Sequence, residues 1–265
     1  MSKIFFLGAG KMATAIAGGL VKSGLYKSCE LAAFDVSAAA GENFTRETGV
    51  NVSSLEDIEN AEAVLLAVKP QMLFQALAPL QGKLSGKLII SIVAGVKIKQ
   101  IAEFVNSERI VRVMPNTPAL VGEGASAYAP GAGASAEDAA LVGKILEAVG
   151  AAYQVKESDL DAVTGLSGSG PAYVFEFIQA LADGGVAEGL ARDTALKLAA
   201  QTVLGAAVMV LNSGVHPQQL KDNVTSPAGT TSRALEVMAE RGFNGIVMQS
   251  VRAAAARSRE LGGKK

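Results

Sequence analysis

The chain is short of the residues from which most catalytic machinery is built. Its 265 residues include one histidine, His216, one cysteine, Cys29, and no tryptophan. A single cysteine excludes an internal disulfide and a thiolate metal cluster, and suits a reducing compartment. A single histidine excludes a multi-histidine zinc site, and a Ser-His-Asp relay would depend on His216 alone. His216 precedes Pro217, so it reads as the start of a short helix. No metal site is expected. The formal net charge of -1 argues against a nucleic-acid partner or a polybasic membrane contact, and Lys264-Lys265 is the only basic tail. The longest apolar helical run, residues 198–211, is interrupted by Gln201 and Thr202 and reads as a core helix rather than a membrane span. The first residues read directly as a strand and a helix without a basic leader. No signal peptide is expected, and the location is read as cytoplasmic.

What the chain has in quantity is apolar surface, 49% of residues, and glycine, 29 of them. This is enough for two domains, each with its own core. Residues 3–7, 30–34, 63–68, 88–93 and 109–113 are strand candidates, several of them continuous apolar runs typical of a parallel sheet buried on both faces. Helical stretches such as 14–23 and 71–80 lie between them. Residues 129–135 read as a loop, 136–149 as a helix and 152–155 as a short strand. Beyond Asp161 the pattern is helical only, over 171–190, 191–212, 216–224 and 230–261. The predicted fold is α/β: an N-terminal Rossmann-type doubly wound sheet (1–161), then a C-terminal all-α substrate and dimerisation domain (162–265). No charged residue occurs from Leu198 to Leu220, so these helices need partners on more than one face, which an intertwined homodimer supplies.

The chemistry-bearing motifs sit at predicted strand ends. Gly8-Ala9-Gly10-Lys11-Met12-Ala13 follows Ile4-Phe5-Phe6-Leu7. It is a G-x-G-x-x-A dinucleotide turn, in which Gly8 permits the turn, Gly10 lets a pyrophosphate approach and Ala13 allows close helix packing. The helix that follows turns its free N–H groups and dipole toward the phosphates. Asp35 ends the second strand; an acid there bonds the adenosine ribose and favours NAD, or else caps the next helix, with Ser37 and Arg46 near in sequence. Ala67-Val68-Lys69-Pro70 ends the third strand, where Lys69 either contacts cofactor phosphate or is a solvated loop lysine. Ala94-Gly95 and Met114-Pro115-Asn116-Thr117-Pro118 end two more, the latter a rigid turn read as lining the nicotinamide pocket. Far downstream, Ser226-Pro227-Ala228-Gly229-Thr230-Thr231 precedes a helix. The N–H groups of Gly229, Thr230 and Thr231 suit an anion such as a carboxylate, and ordinary N-capping by threonine is the plainer alternative.

At these motifs, together with Gly165-Leu166-Ser167-Gly168-Ser169-Gly170-Pro171-Ala172-Tyr173-Val174-Phe175, the chain resembles the pyrroline-5-carboxylate reductases over essentially its whole length. The resemblance implies reduction of a cyclic imine to L-proline in an NADPH-dependent reaction, with NADH as an alternative donor. It implies a tight homodimer, stacked into larger rings in some relatives. It places the cofactor on Leu7, Gly8, Gly10, Lys11, Met12, Asp35, Ala67, Val68, Lys69, Pro70, Ala94, Gly95 and Asn116. It places the substrate on Ser226, Ala228, Gly229, Thr230 and Thr231, with the Thr231 hydroxyl reaching the ring nitrogen as the catalytic contact. Two residues depart from the pattern: Ala228 stands where many relatives have glycine, and Asp35 where the residue is more often uncharged. A rival, the β-hydroxyacid dehydrogenases, shares Gly165, Gly168 and Gly170, but their lysine position is Val174 and their asparagine position is Ile178, which leaves alcohol oxidation without a proton acceptor. A non-enzymatic dinucleotide-binding protein would have no use for the Ser226–Thr231 turn.

Overall fold

The computed structural model describes residues 2–263. They form two compact units, one containing the residues up to Ser169 and those from Arg252 onward, the other Gly170–Val251. The first unit is built on seven strands: β1 (Ile4–Leu7), β2 (Leu31–Phe34), β3 (Ala63–Leu66), β4 (Leu88–Ser91), β5 (Ile110–Met114), β6 (Gly124–Pro130) and β7 (Gly150–Gln154). Their order is β2-β1-β3-β4-β5-β6-β7, and only the β5–β6 pair is antiparallel. Around the sheet lie α1 (Lys11–Lys22), α2 (Ala38–Thr48), α3 (Leu73–Leu77), α4 (Ile98–Val105), α5 (Ala136–Glu147) and α6 (Leu160–Val163).

The apolar runs explain the layering. Successive residues of a strand point to opposite faces, so a run without polar interruption must be covered twice. On β1, Ile4 and Phe6 pack with Ile16, Leu20, Val142 and Ile145, while Phe5 and Leu7 pack with Leu73, Leu77 and Ile101. Phe6 is fully buried, its ring 5.7 Å from that of Phe44. Truncating such a side chain to alanine costs about 3–5 kcal/mol. The Rossmann-type sheet is therefore covered by helices on both faces, as the sequence pattern predicts.

Three element boundaries expected from the sequence are corrected. Residues 124–130 form a strand, so the loop read at 129–135 begins after Pro130. Gly-Ala-Ser-Ala-Tyr-Ala-Pro has little intrinsic strand preference; its pairing with β5 and β7 decides its state. The helix read at 71–80 is one short helix, α3, between two 3-10 turns, because Pro79 interrupts it. The helix read at 230–261 divides into α10 (Thr230–Glu240) and α11 (Phe243–Gly263). Gly242, at φ +70°, ends the first, a helix-stop signal that was present in the sequence.

The second unit holds α7 (Gly170–Ala187), α8 (Arg192–Ser213), α9 (Pro217–Asn223), α10 and the start of α11. Its buried core is small: Ala182, Ala195 and Ala199. Helix α8 is long and apolar enough, by length and composition alone, to cross a membrane. The expectation of a core helix fails for the single chain, since only Ala195 and Ala199 of α8 are buried. Phe175, Leu198, Leu204, Leu211, Ile246 and Met248 of this unit are likewise exposed. A single π-helical turn, Thr164–Gly168, precedes α7 and is closed by the Ser169 N–H donating to the Thr164 carbonyl at 2.8 Å. Such turns are frequent at functional sites.

Candidate active site

Parallel register brings the strand-end residues into one row. Leu7 pairs with Phe34 and with Leu66, and Leu66 with Ser91. The residues that follow these positions, Gly8, Asp35, Ala67 to Pro70, and Ala94 with Gly95, therefore emerge along one edge of the sheet. In open α/β sheets that edge takes the ligand.

The two glycines of the first turn are required for different reasons. Gly8 has φ +108°, and a Cβ there would lie 2.8 Å from the Ala67 backbone. This glycine lets β1 and β3 end close together. Gly10 has an ordinary φ of -74°, and a Cβ on it would meet nothing within 4 Å. The space above Gly10 is open, which fits a pyrophosphate. Gly10 is also the N-cap of α1 and supplies no capping side chain, so the first-turn N–H groups of the helix remain for an anion. Ala13 is buried beneath the turn.

Asp35 is fixed by two backbone donors. Its Oδ2 accepts from the Ala9 N–H and its Oδ1 from the Ser37 N–H, both at 2.8 Å. Ser37, not Asp35, caps α2, accepting from the Ala40 N–H at 3.3 Å. Lys69 is exposed at the head of the Pro70–Met72 turn. Gly95 has φ +77°, and its carbonyl would lie 2.8 Å from a Cβ on Gly262, so the end of α11 packs against the Ala94–Gly95 loop. Asn116 is buried, and both ends of its amide are engaged, with Ala125 N and the Ser167 carbonyl. The amide thus braces the loop from within the protein. The partner Ser167 is too distant in sequence for local reasoning to find.

In the second unit, Ser226, Ala228, Gly229, Thr230 and Thr231 form the turn into α10. Gly229 is the N-cap, with no side-chain cap, so capping by threonine does not occur. The first-turn N–H groups remain available, and their partial positive charge favours a carboxylate. A Cβ on Gly229 would crowd Ser226 Oγ, which would have to rotate away, and would lie 3.2 Å from the Ser226 carbonyl oxygen. Ala228 has φ +54°, a left-handed conformation that a side chain resists. The Thr231 hydroxyl is half-buried and has no hydrogen-bond partner among the described residues. Ser232, which the sequence reading passed over, donates from its hydroxyl to the Gly229 carbonyl at 2.9 Å and steadies the turn. His216 has the plain role read from the sequence: its Nδ1 accepts from the Gln218 N–H and caps α9. Among the described residues no group of three or more His, Cys, Asp or Glu is placed to hold a metal ion.

A Rossmann-type sheet with an open glycine turn, followed by a helical unit carrying an uncapped anion-ready helix start, defines the class of nicotinamide-dinucleotide oxidoreductases. Comparison with known proteins makes the class specific. Residues 157–261 match the pyrroline-5-carboxylate reductase dimerisation family, and residues 3–95 match the family described as NADP oxidoreductase coenzyme F420-dependent. The pyrroline-5-carboxylate reductase of Arabidopsis thaliana is 48% identical over 98% of this chain and 95% of its own length. The solved reductase of Coxiella burnetii superposes with a TM-score of 0.92 at 34% identity, covering 99% of each chain. That of Plasmodium falciparum, solved with NADP bound, gives 0.89 at 37% identity, covering 99% of this chain and 98% of its own. The chain belongs to the pyrroline-5-carboxylate reductase family.

Proposed function

We propose that the chain reduces 1-pyrroline-5-carboxylate to L-proline, the last step of proline biosynthesis, with NADPH or NADH as hydride donor. The observation that carries this reading is the pairing, in one chain, of the open glycine turn at Gly8–Ala13 with the uncapped helix start at Gly229–Thr231. The residues that hold the cofactor are Leu7, Gly8, Gly10, Lys11 and Met12 at the first turn, Asp35 at the ribose, and Ala67, Val68, Lys69, Pro70, Ala94 and Gly95 at the neighbouring strand ends. Asn116 contributes by bracing its loop. The bound reduced nicotinamide supplies a hydride to the imine carbon.

The remaining work belongs to the chain. The N–H groups of Gly229, Thr230 and Thr231 bind the substrate carboxylate, with the α10 dipole adding to these charge-assisted bonds. Ser226 and Ala228 shape the turn around it. The Thr231 hydroxyl accepts from the protonated ring nitrogen and fixes its orientation. As the imine carbon gains the hydride, the C=N π pair becomes the nitrogen lone pair, and the proton already on nitrogen stays there. A protonated imine is electrophilic without further activation, so positioning supplies most of the catalysis and no acid of unusual pKa is needed.

The helical unit serves dimerisation: its exposed apolar residues on α7, α8 and α11 are covered in a homodimer. We place the activity in the cytoplasm, a reducing compartment that suits the exposed thiol of Cys29. The test is to mix the protein with pyrroline-5-carboxylate and NADPH, and separately NADH, and follow the loss of nicotinamide absorbance alongside proline formation. Substrate-dependent oxidation of either cofactor with stoichiometric proline supports the reading; NADPH and NADH that both persist with the dimer intact would sink it.

A further inference from the structure

We infer that Asp35 sets the choice between NADH and NADPH in this chain, and that it holds NADPH to no tighter binding than NADH. The inference rests on the reading of the first unit as a dinucleotide site, and it begins from the way the carboxylate is fixed. Asp35 directly follows the last residue of β2, where the adenosine ribose of a bound dinucleotide is received. The Ala9 and Ser37 N–H groups, each at 2.8 Å, tie its two oxygens to the glycine turn on one side and to the start of α2 on the other. The charge is therefore not free to swing away from an incoming group. Each oxygen keeps a second lone pair, so the carboxylate still accepts a ribose hydroxyl.

The space beside it has the wrong charge for a phosphate. A cavity of about 610 Å³ opens next to Asp35, lined also by Ser37, Ala38, Glu42, Thr45 and Arg46. It holds two carboxylates, Asp35 and Glu42. Arg46 is the one cation among its described lining residues, and that guanidinium is already bonded to the Asn43 side chain and 4.0 Å from the Glu47 carboxylate. The Ser37 hydroxyl oxygen is engaged in capping α2. Lys11, exposed in the first turn of α1, does not line this cavity and adds no cation to it. A ribose hydroxyl meets an acceptor here. A 2′-phosphate, with close to two negative charges, meets the same acceptor as a repulsion.

Calorimetric titration of the intact protein with NAD⁺ and NADP⁺ tests this without turnover. For the unaltered chain, NAD⁺ binds at least as tightly as NADP⁺. In Asp35→Ser the ratio of affinities shifts toward NADP⁺ by about ten- to a hundredfold, the size expected for removing one close charge. Asp35→Asn, nearly the same shape, shifts it in the same direction and serves if the serine variant fails to fold. NADP⁺ binding more tightly than NAD⁺ to the unaltered chain, or a ratio unmoved in both variants, overturns the inference while leaving the dinucleotide site intact. Absence of binding by either nucleotide overturns the dinucleotide site, and the inference with it.

Discussion

The Asn116 side chain donates to the Ser167 carbonyl at 3.1 Å and accepts from the Ala125 N–H at 2.8 Å. One amide thereby joins the end of β5, the start of β6 and the π-helical turn Thr164–Gly168. Asn116→Asp replaces the donor with an oxygen facing Ser167 and repels it; Asn116→Ala leaves two partly buried groups unpaired. Each variant is expected to lose about 1–3 kcal/mol of stability. If the bracing serves the site, kcat falls while the KM for pyrroline-5-carboxylate changes little, which steady-state kinetics at a temperature well below unfolding will show. An unchanged kcat would make Asn116 a purely structural residue.

The two turn glycines respond oppositely to substitution. Gly8→Ala forces a Cβ against the Ala67 backbone at a positive φ, so the protein is destabilised and melts earlier. Gly10→Val has room in the protein and an ordinary backbone, so the melting temperature stays close to that of the parent. Its side chain fills the space needed by the pyrophosphate, and cofactor binding in a fluorescence titration is abolished. Tight binding by Gly10→Val contradicts the placement.

Thr231→Ala removes the one hydroxyl proposed to touch the ring nitrogen. The rate falls by about ten- to a thousandfold, the range for losing one positioned hydrogen-bonding group. Thr231→Ser, which keeps the hydroxyl, recovers most of it. Steady-state kinetics equal to the parent in Thr231→Ala would remove the residue from the mechanism.

At Ala228 the usual effect of glycine is reversed. A loop Ala→Gly change ordinarily destabilises by loosening the unfolded chain. Here the left-handed backbone, φ +54°, strains alanine, so Ala228→Gly is neutral or stabilising by up to about 1 kcal/mol. Gly229→Ala, one residue on, drives a Cβ into Ser226 Oγ and raises the KM for substrate. Differential scanning calorimetry and KM measurements on the two variants separate these outcomes.

The Arg109–Asp138 pair carries a pH dependence. The Arg109 guanidinium grips Asp138 through Nε at 3.0 Å and through its second nitrogen at 2.7 Å, and holds that carboxyl below the usual carboxylate range. Because the folded pKa lies below the unfolded one, the stabilisation is complete above the unfolded value of about 3.9 and fades as pH falls through the folded value. Asp138→Asn is therefore less stable than the parent at pH 7, by about 1–3 kcal/mol, and the gap narrows in acid below about pH 4. Urea unfolding at the two pH values measures it; a gap that stays constant would exclude the ionic origin.

Much of this protein is legible in the sequence, for a local reason. The strands β1, β3 and β4 are short, unbroken apolar runs, and the turn between β1 and α1 must be glycine for backbone reasons that act over a few residues. Strand β6 was not legible, because alanine, glycine and serine have no strand preference of their own. The break between α10 and α11 has a local signal in the sequence, the helix-stop glycine Gly242. In the candidate site the identities of Gly229, Thr230 and Thr231 could be read in advance, but their freedom from side-chain capping could not.

The sequence alone determined where the chain turns, which runs are buried on two faces, and which glycines open phosphate- or carboxylate-sized spaces, since these follow from steric limits and apolar periodicity along the chain. The tertiary structure alone decided how the polar side chains are used. Asp35 is held by Ala9, 26 residues away, and Asn116 by Ser167, 51 residues away. A hydrogen bond depends on a separation of about 3 Å and a direction, and only the folded chain sets both.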